Sequence, residues 1–271
     1  MATITPERKT TSFWQAWKIQ RVVLGALILR ELQSRHGRHN IGYLWMVVEP
    51  MLLASVVTLM HVGQEGSDGG LLTMPAFPFT VLGYCNFIIF RNNFTRAEGV
   101  LDWSGNMMYH SRITLFDILF ARMICESAGA ILSLIVLMTI GITLGLAEFP
   151  ARPLYMFLGT GEMFIWSFGL AMMISAYTYG THFVGRLVHP IGYFMFPLSG
   201  AFITMNLLPE WARAYMAWNP MMAMFETIRY GAFAGADDRY MDQSYVIVHC
   251  VVSLFWGLVA LRHIRKHIHA G

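Results

Sequence analysis

The stretch AILSLIVLMTIGITLGLA, residues 130–147, decides the class of this protein. It holds no charge, and only Ser133, Thr139 and Thr143 carry hydroxyls. A membrane-crossing helix needs about 20 mostly apolar residues. The apolar pattern here begins earlier, near Thr114, so the length is met. Of the 271 residues, 56% are apolar and 13% are charged, with a mean hydropathy of +0.49. That charged share is about half the usual one for a soluble domain, which excludes a cytosolic enzyme. The 14% aromatic content excludes disorder. Cys85, Cys125 and Cys250 are far apart and form no CxxC, which excludes a disulfide scaffold.

Working outward, five more stretches carry one charge or none. Residues 41–64 hold Glu49 alone, and residues 71–90, 163–185, 187–209 and 243–261 hold no charge. With residues 127–147 they make six expected spans. One helix through the fourth and fifth would be about 60 Å long, twice the hydrocarbon core. Gly185, His189 and Pro190 are therefore read as a tight turn. The first 40 residues are charged and resemble no cleavable signal. Six spans put both termini on one side. Basic residues choose it: 15 of the 19 Lys and Arg fall on the side of the termini, and only Arg152, Arg213, Arg229 and Arg239 on the other. The termini are expected to be cytoplasmic.

Two segments read as lying on the membrane. In residues 14–38, Ile19, Val22, Val23 and Ala26 repeat at helical spacing, while Lys18, Arg21 and Arg30 supply charge. This is a basic amphipathic helix of the interfacial kind. In residues 210–240, Arg213, Glu226 and Arg229 interrupt a Met-rich, aromatic stretch, and Trp218-Asn219-Pro220 breaks it. Two short re-entrant helices fit it. The expected fold is all-α: a polytopic membrane protein with six transmembrane helices, an N-terminal amphipathic interface helix and outer re-entrant helices before the last span. Residues 1–40 form the cytoplasmic N-terminus, 41–262 the transmembrane domain and 263–271 a cytoplasmic tail.

Catalytic signals are weak. No lysine follows a glycine, so no P-loop exists on this chain, and any energy from ATP must come from a partner. There is no HExxH and no GxSxG. Asp237, Asp238 and Asp242 form DDxxxD, a type that holds Mg²⁺ and a diphosphate. Arg239 sits inside it and no second cluster accompanies it, so a solvated loop is the better reading. Arg122 and Glu126 are four apart and spaced to pair. A membrane enzyme acting on lipid-linked substrates, resting on that acidic cluster, remains an alternative.

Ile28-Leu29-Arg30-Glu31-Leu32, Arg35-His36-Gly37-Arg38, Ile41-Gly42-Tyr43-Leu44-Trp45 and Glu49-Pro50, in that order, resemble the opening of the polysaccharide-export permeases of type-2 ABC transporters. Phe116-Asp117 with Ala121-Arg122 and Glu126 resembles that family's start of span three. Trp218-Asn219-Pro220 with Glu226 and Arg229 resembles its outer re-entrant segment. The likeness runs through the whole chain and is nearest to the capsular polysaccharide branch. O-antigen and teichoic-acid permeases share the architecture. His36 stands where an aromatic is usual, and Asn106 to Ser111 lacks the usual proline.

The resemblance implies a permease in the bacterial inner membrane that works as a homodimer with two copies of a separate, KpsT-like ATPase. That ATPase would hold the ATP and Mg²⁺, and this chain would hold no cofactor or metal. A periplasmic adaptor and an outer-membrane exporter would carry onward a lipid-linked acidic polysaccharide. Membrane lipid is a partner, and nucleic acid is not. Residues 101–113 would be the coupling helix, with Asn106, Tyr109, Arg112 and Asp117 meeting the ATPase. Arg21, Arg30, Arg35 and Arg38 would draw the anionic terminus. Tyr43, Trp45, Glu49, Tyr84 and Tyr193 would line the path.

Overall fold

A computed structural model describes residues 13–36, 48, 51–52, 55–56, 74–103 and 113–268. Among them the only regular structure is helical. In chain order the helices are α1 (Phe13–His36), α2 (Ala76–Thr95), α3 (Val100–Trp103), α4 (Leu115–Thr143), α5 (Pro153–Thr178), α6 (His182–Leu198), α7 (Glu210–Met216), α8 (Pro220–Ala232) and α9 (Gln243–Ile268). A 3₁₀ turn, Met205–Leu207, precedes α7. Among the described residues, three helices are long and apolar enough to cross a membrane: Leu115–Thr143, Pro153–Thr178 and Gln243–Arg265. The expected first span, residues 41–64, lies outside the described residues except for five helical positions between Val48 and Val56.

Local chemistry sets the helix ends. At the start of α4, Thr114 and Asp117 form a capping box, each side chain satisfying the other's backbone N–H. At its end, Gly145 takes φ +71°. The Leu146 N–H then closes on the Gly141 carbonyl at 2.8 Å, and the Gly145 N–H on Ile142 at 3.1 Å. Pro153 and Pro220 open α5 and α8, where a missing N–H costs nothing. Asn219 caps α8 by accepting from the Met221 N–H at 3.0 Å.

Tertiary packing buries α2 among α4, α5, α6 and α8. Phe79, Phe87, Ile89 and Phe90 are at most 2% exposed. The major helices alternate in direction. The starts of α2, α5 and α9 and the ends of α4 and α6 lie toward the Pro153 end, α8 packs there at both of its ends, and the opposite ends of the five long helices lie toward Thr114. The backbone joins Arg152 to Gly231 at 2.7 Å at the first. Glu98 meets His189 at 3.3 Å at the second.

Several boundaries differ from the sequence expectation, for one shared reason. Reading spans as charge-free runs cuts helices at Arg91 and Glu162, yet α2 continues through Arg91 and α5 contains Glu162. The turn between α5 and α6 is also displaced. It falls at Gly180, whose φ of +67° suits glycine. Gly185 and Pro190 lie within α6. Gly185 serves close approach instead: a Cβ there would stand 2.3 Å from the Glu98 carboxylate.

The face of α1 is likewise corrected. Its buried or half-buried side is Val23, Leu24, Leu27 and Ile28, turned toward α4, while Val22 is 72% exposed. Phe13, Trp14, Trp17 and Leu29 are also exposed. The helix is thus apolar on two sides, one packed and one bare.

Candidate functional site

Polar groups concentrate at both ends of the bundle. At the Thr114 end, one carboxylate joins two helices. Asp117 is fully buried. Its Oδ2 accepts from the Thr114 N–H at 3.0 Å and from the Thr114 hydroxyl at 2.7 Å. Its Oδ1 accepts from the Gln20 amide of α1. Two turns further on, Cys125 Sγ lies 3.9 Å from the Ile28 carbonyl. The two ties share a separation of 97 residues, so α1 and α4 run parallel in a fixed register.

Ion pairs reinforce this end. Glu31 and Arg122 approach to 3.8 Å, and Arg96 meets the buried Glu126 at 3.1 Å. These pairs run between helices, beyond the i,i+4 partnership that the Arg122 and Glu126 spacing suggests. Deeper in, Asn93 donates to Ser127 at 3.2 Å and to Ser167 at 2.9 Å. All three side chains are buried, so the hydrogen bonds offset a desolvation that would otherwise be costly.

Along α2 and α6, Arg91 donates to the Tyr193 hydroxyl at 2.6 Å, and its guanidinium lies 4.3 Å from that ring's centre. The outer side of α6 is bare and apolar, with Phe183 and Phe194 at least 70% exposed.

At the Pro153 end, Arg229 is 2% exposed. It pairs with Glu226 at 3.1 Å and donates to the carbonyls of Gly200 and Ala201. Its guanidinium also faces Phe79 at 4.8 Å. Glu226 in turn accepts from the Met205 N–H at 2.9 Å. This lock fastens the link between α6 and α7 onto α8. Arg213 adds donors to Met205 and Leu208, and Asn219 one to Leu198 at 2.6 Å.

The expected site residues are dispersed. Arg21 and Arg30 are exposed on α1. Arg35 lies in the last turn of α1. Tyr84 is buried within α2, whereas Tyr193 is exposed on α6 beside Arg91. Arg38, Tyr43, Trp45, Glu49, Asn106, Tyr109 and Arg112 lie outside the described residues. Of the segment 101–113, the described part holds the end of α3 and Ile113, the residue before the Thr114 cap. Residues that sequence reasoning passed over are Gln20, Arg91 and the inward role of Glu226 and Arg229. The i,i+3 spacing of the last two was the available signal.

Nothing here assembles a catalytic constellation among the described residues. Among the described residues, no group of three His, Cys, Asp or Glu side chains is placed to hold a metal ion. In the acidic cluster, one oxygen of Asp237 accepts from the Arg239 N–H at 3.2 Å, and one oxygen of Asp242 from the Tyr245 N–H at 3.0 Å. The arrangement is that of an apolar helical bundle with polar joints at its two ends.

Comparison with known proteins agrees with that arrangement. Residues 22–233 match the family model described as ABC-2 type transporter. The chain is 34% identical over 258 residues to the capsule polysaccharide export inner-membrane protein CtrC of Neisseria meningitidis serogroup B, covering 95% of this chain and 97% of that one. It is 31% identical to the protein of the same description, BexB, of Haemophilus influenzae, with the same coverage. The polysialic acid transport protein KpsM of Escherichia coli is 26% identical over 91% of this chain and 95% of its own length. An all-helical bundle matched over most of its length in this way is a member of the ABC-2 type transporter membrane family.

Proposed function

We propose that this chain is the permease subunit of an ABC transporter that exports lipid-linked capsular, acidic polysaccharide across the bacterial inner membrane. The observation that carries this reading is the end-to-end likeness to capsule-export inner-membrane proteins. Six spans would be residues 41–64 with α2, α4, α5, α6 and α9. The alternating direction of the last five supports that count. Both termini and the Thr114 end would be cytoplasmic, as the 15 basic residues on that side favour. α1 would stand alongside the cytoplasmic start of α4 rather than flat in the interface, its bare aromatic side meeting lipid. α7 and α8 would form the outer re-entrant segment.

Two copies would meet to enclose the path, and the bare apolar side of α6 supports its use as a wall of that dimer. Two separate ATPase subunits would bind beneath residues 101–113. The capping box at Thr114 lies directly after that segment, so a push on it reaches α4. Gln20 on Asp117 passes the same push to α1. Arg21, Arg30, Arg35 and Arg38 would gather the anionic lipid terminus, and Tyr193 with Arg91 would offer it a ring and a charge. A periplasmic adaptor and outer-membrane exporter would take the polymer onward.

Deleting the gene and locating the cell's acidic surface polysaccharide tests this. Polymer held in the cytoplasm is the expected result. Polymer still displayed at the surface would overturn the substrate assignment, and polymer never made would favour an enzyme.

A further inference from the structure

A second polar feature of the Pro153 end is a cavity of about 220 Å³. Its walls come from the 3₁₀ turn, the end of α7, the start of α8 and the residues leading into α9. Met205, Met216 and Met222 give it an apolar floor, and Arg239, Tyr240, Asp242 and Tyr245 its polar side. Two guanidinium groups lie within 6 Å of the Tyr240 ring centre, Arg213 at 5.8 Å and Arg239 at 5.7 Å. Arg213 is committed to the Met205 and Leu208 carbonyls. Arg239 is exposed.

The Tyr245 hydroxyl on the cavity wall donates to the Trp218 backbone carbonyl at 2.8 Å. Trp211, Tyr215 and Trp218, in α7 and the turn after it, are 71%, 75% and 80% exposed. A belt at the lipid headgroups explains exposed Trp and Tyr by themselves. It does not explain a cavity that sets a carboxylate, a free guanidinium and two phenol rings together.

That combination matches the surface of a charged sugar. C–H faces of a pyranose ring stack on an aromatic plane, vicinal hydroxyls donate to a carboxylate, and a guanidinium takes a carboxylate in two parallel hydrogen bonds. We propose that this cavity is an exit-side subsite for one acidic sugar unit of the departing polymer, held by Arg239, Tyr240 and Asp242. The proposal rests on the export reading, which makes the Pro153 end the outer one. A subsite there would bind each unit as it emerges and disfavour its return.

The test uses the full-length protein with its ATPase in nanodiscs. The probes are tetrasaccharides of hexuronic acid and of sialic acid, together with their carboxyl-reduced, neutral counterparts. Binding is followed by calorimetry and by tryptophan fluorescence. At least one acidic tetrasaccharide is expected to bind ten-fold or more tightly than its reduced form. Arg239→Gln should erase that preference, Arg239→Lys should keep part of it, and Tyr240→Leu should weaken both forms. The melting temperature should not move, because Arg239 lies in an exposed loop. Equal binding of acidic and reduced forms, no binding by either, or an unchanged preference in Arg239→Gln would overturn the subsite. So would loss of binding when anionic phospholipid is added, which would assign the cavity to a lipid headgroup. Failure of the export reading is separate: it would show as normal surface polymer in the deletion strain, whatever the sugars do.

Discussion

The two ends of the bundle are fastened by different physics. At the Pro153 end the joint is a dry lock, with Arg229 and Glu226 both below 10% side-chain exposure and tied to backbone of the neighbouring link. At the Thr114 end the joints are scattered ties between helices, several of them wet. Arg96 is 46% exposed against Glu126, and Arg122 and Glu31 are 28% and 24% exposed. A buried pair holds one geometry because leaving either charge alone is costly. Half-solvated pairs contribute little and exchange with water. In a transporter driven from the Thr114 end, as proposed above, this contrast would give a compliant drive end and a stiff far end.

The largest expected effect comes from breaking the dry lock. Arg229→Ala strands Glu226 in the interior and should cost about 3–5 kcal/mol, with most of the protein lost from the membrane. Thermal unfolding of the detergent-purified protein would measure it. Arg229→Lys should rescue only part, since an ammonium cannot reproduce the forked contacts to Gly200 and Ala201.

Next in size is Gly83→Val in α2. A Cβ there would stand 2.1 Å from the Ala201 carbonyl oxygen, so α6 and its following link would have to move. Overpacking of this kind costs about 1–3 kcal/mol, measured in the same melt. A small shift would mean the Pro153 end is softer than the contrast requires.

The Thr114 end gives milder losses. Asp117→Ala removes the capping box and the Gln20 tie, at about 1–2 kcal/mol. Export should fall further than stability does, which a paired measurement of surface polymer and melting temperature would reveal. Equal falls would make Asp117 a structural residue only. Smallest of all, Glu31→Ala, whose pair with Arg122 is part-solvated on both sides, should change stability by under about 1 kcal/mol.

An engineered cross-link sharpens the comparison. Ile28→Cys, paired with the native Cys125, should oxidise readily because Cys125 Sγ already lies 3.9 Å from the Ile28 carbonyl. If α1 and α4 move as one body, ATP turnover and export should persist in the oxidised protein. Export that stops on oxidation and returns on reduction would show that the two helices slide.

Much of this was legible in the sequence. Residues 130–147 read as a span from composition alone, and the apolar pattern starts near Thr114, where α4 begins. Trp218-Asn219-Pro220 reads as a break, and there α7 gives way to α8. Arg91 and Glu162 were misread as boundaries because a lone charge carries no sign of what it will meet. Arg91 lies on Tyr193, 102 residues away. The turn was placed at Gly185 because a glycine needed for close approach and one needed for a positive φ look alike in a sequence. The stripe of α1 was misassigned because apolar residues sit on two of its sides, and periodicity cannot tell which will be packed. Gln20 gave no signal, since its only role is a contact made across the fold.

The most direct test of the central claim is vectorial transport. Inside-out membrane vesicles would carry this chain with its ATPase and be loaded on the outer face with lipid-linked acidic polymer. Addition of ATP should render the polymer resistant to an externally added depolymerase, and Arg229→Ala vesicles should leave it sensitive. ATP consumed with the polymer still fully digestible would contradict the assignment of this chain as the path for export.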